Sequence, residues 1–378
     1  MKFAFCLFNY FPFGGLERDF LAISRQCLAR GHDLDVYTMS WQGEQVPGLT
    51  VHGLSATGLT NHGRAASFHR QLQAALVGSD HDLLVGFNKM PDLDVYYAAD
   101  VCYEARISRQ RGFLTRLTPR YRRLAAFEKA VFAADSSTAI IYLAGQEKRN
   151  YQAVYHTPEA RFYYGPPGVD VAAIRNRMGP ENRRRLRQQL GLQEMETMLL
   201  MIGSNFHTKG VERSIRALAA LPTDLRRHSF LYIIGRGKEK WYLKLAGRLG
   251  VGNQVRFLGG RDDVPSFLAA ADLLLQPSLT ENTGNAIVEA LVAGVPVLAT
   301  ATCGYSEHVL AAESGLVLDS APFAQDEMNR ALARMYDPEK RRLWHDNAVR
   351  YSTRQDLGNR PQVVAEILER LAVGKKKG

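Results

Sequence analysis

Two glutamates eight residues apart, Glu281 and Glu289, enclose the stretch Asn282-Thr283-Gly284-Asn285. Eight helical residues rise about 12 Å and end about 80° round from the start, so both carboxylates can address one cleft. That spacing is too wide for a shared proton or metal. It suits two acceptors for hydroxyls at opposite ends of a long ligand, with the backbone donors of residues 282–285 meeting an anion between them. The structural alternative makes Glu281 a capping acid and Glu289 a buried ion-pair partner. Lys209, closing Gly203-Ser204-Asn205-Phe206-His207-Thr208-Lys209-Gly210, is a point charge suited to a diphosphate. A cation at a helix start opposes the helix dipole, which favours a functional reason over a solvated surface lysine. In Phe11-Pro12-Phe13-Gly14-Gly15-Leu16, the two glycines let backbone approach a phosphate, or simply make a tight turn. Gly235-Arg236-Gly237 reads first as a turn. The triplets Asp33-Leu34-Asp35 and Asp92-Leu93-Asp94 read as a strand entry and a helix cap. With no histidine cluster at ligand spacing, no metal site is expected. Serine-hydrolase and zinc-protease motifs are also missing.

The elements that must position these residues alternate between strand and helix almost from end to end. Strand patterns fall at residues 3–10, 35–39 and 83–87, with a helix at 16–30 and a segment at 93–99 capped by Asp92. Tyr164-Gly165-Pro166-Pro167-Gly168 breaks the pattern. A charged helix at 181–190 follows, and the alternation restarts. Strands are predicted at 197–202, 230–234, 255–258, 273–276, 295–300 and 315–318, with helices at 211–221 and 240–249. Such alternation builds parallel sheets covered on both faces, whose ligands bind beyond the carboxyl ends of the strands. Two doubly wound α/β domains are therefore expected, 1–168 and 169–354. A last helix, at about 355–373, carries the apolar stripe Val363, Val364, Ile367, Leu368 and Leu371. It is expected to pack back on the first domain, leaving residues 375–377 as a frayed tail.

The chain has 378 residues, enough for two domains with full cores. Four scattered cysteines, Cys6, Cys27, Cys102 and Cys303, suit a reducing compartment and argue against a disulfide framework or a structural zinc. No apolar run is long enough to span a membrane, and the apolar opening reads as a strand, not a signal peptide. The 48 Lys and Arg against 38 Asp and Glu leave +10, which asks for an anionic partner.

The Gly14-Gly15 loop, Lys209-Gly210 before a helix and the paired glutamates, set in two Rossmann-like halves, resemble the retaining family 4 glycosyltransferases of GT-B fold. Asn61-His62-Gly63-Arg64, Gly86-Phe87-Asn88-Lys89-Met90-Pro91 and Thr302-Cys303-Gly304-Tyr305 resemble the branch of that family that builds lipopolysaccharide core. The resemblance implies two domains facing a central cleft, the first on the acceptor side and the second binding the nucleotide sugar. It implies transfer of a hexose, glucose from UDP-glucose, to an inner-core heptose without metal or cofactor. The same chemistry with galactose or another acceptor is an alternative. By the same resemblance Gly14 and Gly15 face the donor diphosphate with Lys209 as its cation. Glu289 binds the ribose, and Glu281 with residues 282–285 holds the transferred sugar. Asp100 stands where many relatives carry a histidine beside the reacting sugar, which leaves its role open. Thr208 replaces a common basic neighbour, so either Lys209 works alone or Arg261 approaches the nucleotide.

More than half of the excess charge lies in residues 103–132. Arg106, Arg109, Arg111, Arg116, Arg120, Arg122, Arg123 and Lys129 oppose only Glu104 and Glu128 there, a net +6. Interleaved Phe113, Leu114, Leu117, Tyr121, Leu124 and Phe127 make it read as an amphipathic interfacial segment, with a solvated helix face as the alternative. The expected partners are thus a UDP-sugar, a lipid-anchored core acceptor and an anionic membrane surface, placing the enzyme peripherally on the cytoplasmic face of the inner membrane. A non-catalytic nucleotide- or nucleic-acid-binding protein is the alternative from another class, but no recognition motif accompanies the basic run. An NAD-linked oxidoreductase is disfavoured because no G-x-G-x-x-G follows the first strand.

Overall fold

Short apolar runs become strands and the amphipathic runs between them become helices, in a computed structural model that describes residues 1–12, 14–110 and 113–377. The side chains of residues 109, 110, 113 and 377 are outside that description. The chain divides into two units. The first is Met1–Gly168 together with Asn359–Gly378, and the second is Val169–Gly358.

The first unit holds β1 (Lys2–Cys6), β2 (Asn9–Tyr10), β3 (Asp33–Thr38), β4 (Ser40–Trp41), β5 (Leu49–Gly53), β6 (Leu83–Gly86), β7 (Val95–Ala98), β8 (Ala139–Tyr142) and β9 (Phe162–Tyr164). Seven of them form one sheet in the order β5-β3-β1-β6-β7-β8-β9, every pair parallel, while β2 and β4 make a separate ladder. Alternate residues of β1 enter opposite layers. Phe3 and Phe5 pack with Phe20 and Ile23 of the Gly15–Ala29 helix, whereas Ala4 and Cys6 pack with Phe68 and Phe127. Both faces are covered, as an all-parallel sheet requires.

The second unit holds β10 (Thr197–Ile202), β11 (Ser229–Ile234), β12 (Val255–Phe257), β13 (Leu273–Gln276), β14 (Val297–Thr300) and β15 (Gly315–Leu318), parallel throughout in the order β12-β11-β10-β13-β14-β15. Leu199 and Met201 of β10 face one core cluster, Met198 and Leu200 the other.

Four expectations change. Residues 93–99 are not a helix: β7 lies there, its four residues all buried between covering layers. Asp92 does not cap anything. It sits at φ +62°, outside the extended range an N-cap needs, with its carboxylate 2.9 Å from His69 Nε2. The lysine tail is not frayed, because the last helix runs Arg360–Lys377, with Lys375 paired to Asp94 at 2.7 Å and Lys376 to Asp82 at 2.6 Å. The chain rejoins the first unit at Asn359 instead of near 355. There the buried Arg360 donates from Nε to the Pro166 carbonyl and from Nη1 to Asp19, each at 2.7 Å.

Candidate active site

In the second unit, β10 has β11 on one side and β13 on the other, so the chain changes direction along the sheet at the β10/β13 boundary. Loops leaving the carboxyl ends of two such strands open a crevice. Here those loops are residues 203–210 and 277–284. They are tied together where the Leu279 amide donates to the Thr208 carbonyl at 2.8 Å. Gly203 has φ +146°, and a Cβ there would lie 2.6 Å from Lys209 Cε, so the lysine stem lies directly over bare backbone. Its Nζ forms an ion pair with Glu281, and both side chains remain about one-fifth exposed, at 20% and 17%. The pairing offsets the unfavourable placement of a cation before the Val211–Ala219 helix.

Glu281 is not in a helix. It makes an isolated parallel bridge with Cys303, and the following helix starts only at Asn285. Helical spacing therefore does not set the direction of Glu281; the neighbouring strand end does. Thr300 and Thr302 donate to the Ser278 carbonyl at 2.8 and 2.5 Å, and the Tyr305 amide donates to Thr283 O at 2.8 Å, clamping this loop to the one after β14. Burial and the neighbouring Glu281 push the Cys303 thiol up to about 11, so it stays neutral. Gly284, left-handed at φ +91°, caps the Asn285–Val292 helix without any side-chain bond. Among the described residues, the buried Asn285 Oδ1 has no hydrogen-bond partner. Asn282 is buried, Thr283 half-buried, and Glu289 half-buried in the second turn of the helix.

Arg213 is a site residue that sequence reasoning missed. Its Nη1 donates to the carbonyls of Pro277 at 3.1 Å and Ser278 at 3.4 Å, while its guanidinium lies 3.6 Å from the Phe323 ring centre. No spacing signal marks it. By contrast Arg261 is exposed and donates from Nε and Nη2 to the Asp263 carboxylate, at 2.6 and 2.8 Å, which holds Asp263 below the usual carboxylate range. The Gly235 turn backs onto the 203–210 loop, with the Asn205 amide donating to Arg236 O at 3.0 Å.

In the first unit the direction changes between β1 and β6. The Asn88 side chain bridges the two strand ends by accepting the Phe8 amide at 2.7 Å. Gly14 caps the Gly15–Ala29 helix, and a Cβ there would strike the Glu17 carboxylate at 1.6 Å. Burial raises the pKa of Glu17. Phe13 lies outside the described residues. Asp100 follows β7 at its carboxyl end and is exposed; Tyr96 Oη lies 3.5 Å from its carboxylate, and Tyr151 donates to its carbonyl at 2.9 Å.

The basic segment is two helices, Tyr103–Gln110 and Pro119–Phe132, joined by a 3-10 turn, Phe113–Leu117. It hangs on Glu128, which is fully buried and accepts Lys89 Nζ at 2.5 Å, the amides of Tyr103 and Glu104 at 2.6 and 2.9 Å and Tyr155 Oη at 2.9 Å. Burial alone would raise its pKa, but Lys89 and the amides outweigh that and hold it low. Arg116 pairs with Glu104, and Arg106 lies 5.3 Å from the Tyr103 ring centre. Arg120, Arg122 and Arg123 are exposed without an ion pair among the described residues, near Leu114 at 77% and Leu117 at 53% exposure. Arg111 and the side chain of Arg109 lie outside the described residues. Among those residues no helix is long and apolar enough to cross a membrane, and no three His, Cys, Asp or Glu side chains gather where a metal ion would sit. Asp35, of the first Asp triplet, lies between His52 at 2.8 Å and His81 at 2.7 Å.

The sequence profile described as Glycosyl transferases group 1 matches residues 182–350. Lipopolysaccharide glucosyltransferase WaaG of Escherichia coli (strain K12) is 42% identical, over 97% of this chain and 98% of that protein. Lipopolysaccharide core biosynthesis glycosyltransferase LpsE of Rhizobium meliloti (strain 1021) is 37% identical over 32% of this chain and 35% of its own length. Among solved structures, the crystal structure of WaaG superimposes with a TM-score of 0.91 at 43% identity, covering 97% of this chain and 99% of that one. Anabaena Alr3699/HepE in complex with UDP-glucose gives 0.74 at 21% identity, over 98% and 100%, a likeness of fold alone.

Proposed function

The chain belongs to the group 1 glycosyltransferases, in the lipopolysaccharide glucosyltransferase branch, and on that premise we propose that it moves glucose from UDP-glucose to an inner-core heptose with retention of configuration. The observation that carries this reading is the Lys209–Glu281 ion pair, set across the two loops of the β10/β13 crevice beside a helix start with no side-chain cap. A diphosphate entering there offers Nζ a second anion and frees the Glu281 carboxylate to accept sugar hydroxyls. Glu289, further along the helix, takes the ribose hydroxyls. From the first unit, the loop at Gly14 and Gly15 is assigned the diphosphate, and Asp100 the reacting sugar. Arg261, engaged by Asp263, is left out of the donor contacts.

In the proposed reaction the bond from the anomeric carbon to the phosphate oxygen breaks. The acceptor oxygen bonds to the same face, and its proton passes to the departing phosphate. The charge that develops on UDP is met by Lys209 and the amides of the Asn285–Val292 helix, and no metal is invoked. A fixed donor aimed at developing charge is worth about 10²–10³ in rate. Lys209→Ala and Glu281→Ala should each lose about that factor in transfer from radiolabelled UDP-glucose to truncated core acceptor, with the thermal transition retained. Wild-type turnover in both would sink the site assignment, and a panel of UDP-hexoses in the same assay fixes the sugar.

The exposed Arg120, Arg122 and Arg123 beside Leu114 and Leu117 support peripheral docking on an anionic membrane. Each basic group near such a surface is worth about 1 kcal/mol. Reversing all three to Glu should abolish co-flotation with phosphatidylglycerol vesicles, and undiminished flotation would refute the docking face.

A further inference from the structure

At the end of the second unit's sheet opposite the Lys209 and Glu281 loops there is a cavity of about 390 Å³. Its wall includes Asp272, immediately before β13, and Val295 and Pro296, before β14, so it lies at the amino ends of the strands whose carboxyl ends bear the candidate active site. Arg183, Arg341 and Arg342 line it against the single carboxylate of Asp272, a net +2.

That carboxylate is already committed. It accepts Arg183 Nη2 at 2.5 Å, Arg187 Nη1 at 3.1 Å and the Met198 amide at 2.7 Å. Arg183 in turn is locked, its Nη1 donating to the carbonyls of Ala270 and Ala271 at 2.9 and 3.0 Å. It contributes fixed charge from the first turn of the Pro180–Gln189 helix. Arg341 differs. Its Nε donates to the Met335 carbonyl at 2.7 Å and its plane lies 4.6 Å from the Tyr336 ring centre, while its two terminal nitrogens have no hydrogen bond among the described residues. Burial lowers its pKa, and attraction to the nearby Asp272 carboxylate offsets only part of that cost. Arg342, exposed and also without an ion pair among the described residues, adds a second fork. The Gly294 carbonyl on the same wall is turned to His345 Nδ1 at 2.7 Å, which limits its repulsion of an anion.

We propose that this cavity binds a small phosphate-bearing metabolite, with Arg341 and Arg342 gripping the phosphate and Arg183 supplying fixed charge beside it. Paired guanidinium forks match phosphate oxygens in geometry and charge. The volume lies within the range of small-ligand pockets and exceeds what a bare phosphate fills, leaving room for a sugar-sized body.

The test is calorimetric titration of the full chain, saturated with UDP to occupy the donor loops, with inorganic phosphate and, separately, glucose 6-phosphate. Binding in the millimolar range or tighter is expected, unchanged by Lys209→Ala. Loss of one charge-assisted contact in Arg342→Glu should weaken it about tenfold or more while leaving glucose transfer unchanged. Arg341→Gln should do the same to binding. Should Arg341→Gln fail to fold, the surface variant Arg342→Glu decides the matter. Tighter binding of glucose 6-phosphate identifies a phosphorylated metabolite as occupant, and equal binding identifies free phosphate at the same site. No heat with either probe, equal affinity in Arg342→Glu, or competition by UDP would overturn the proposal.

Discussion

The lysine that meets the diphosphate in the proposed reaction is placed by a residue with no side chain. Gly203 combines a positive φ with a Cβ position 2.6 Å from Lys209 Cε, so alanine there would be strained and would push the lysine stem aside. Gly203→Ala is expected to cost about 1–2 kcal/mol of stability. It should also raise the donor KM several-fold, with a smaller effect on kcat, measured by thermal unfolding and initial rates. An unchanged KM would mean Lys209 reaches its ligand by another route. Lys209 and Glu281 were each legible from residue type and loop position. Their pairing was not, because it depends on two loops 72 residues apart meeting at one sheet boundary. The same applies to Arg213, whose role is to hold two carbonyls that no sequence pattern marks.

Among the elements, strands β10, β13 and β15 match the expected residues, while β7 does not, and the reason is physical. A strand buried on both faces has no alternation, so the short run Val95 to Ala98 cannot be told from a helix by periodicity. The Val211–Ala219 helix was legible to within two residues, whereas the helix expected to be entered at Glu281 begins only at Asn285, and the forces that anchor the helices near the site were hidden. One is His308 on the Ser306–Ala312 helix, which follows the loop whose Tyr305 amide holds Thr283. Burial lowers its pKa to about 4, and Nδ1 lies 2.6 Å from Tyr351 Oη. A depressed folded pKa means the unfolded chain binds the proton more readily. The stabilisation is therefore complete above the ordinary histidine value of about 6.5 and disappears as pH falls towards 4. At pH 5 about 2 kcal/mol should be gone relative to neutral pH. His308→Gln, which cannot be charged, should flatten the urea-midpoint profile between pH 6.5 and 4 relative to the parent. An equal slope in both would assign the acid loss elsewhere.

For the whole molecule, the net charge of +10 is not diffuse. The segment 103–132 carries +6, whereas Lys375 and Lys376 of the last helix are paired to Asp94 and Asp82. Those pairs are part of how the carboxyl-terminal helix belongs to the first unit. Val364, Ile367 and Leu368 are buried in its core with Phe3 and Phe5, and Glu369 meets Arg30 at 2.7 Å and His32 at 2.6 Å. The first unit is thus closed by residues that are synthesised after the entire second unit. Burying each large aliphatic side chain is worth about 1.5–3 kcal/mol, so these three alone supply about 5–9 kcal/mol. Whole domains are stable by only about 5–15 kcal/mol. A chain ending at Gly358 should therefore lack a stable first unit, while the second, whose strands and cores lie within residues 169–358, keeps its own cooperative transition. Calorimetry of the truncated chain should show one unfolding peak with UDP-dependent stabilisation retained, and limited proteolysis should degrade residues 1–168 first. Two intact transitions would show that the first unit does not need its returning helix.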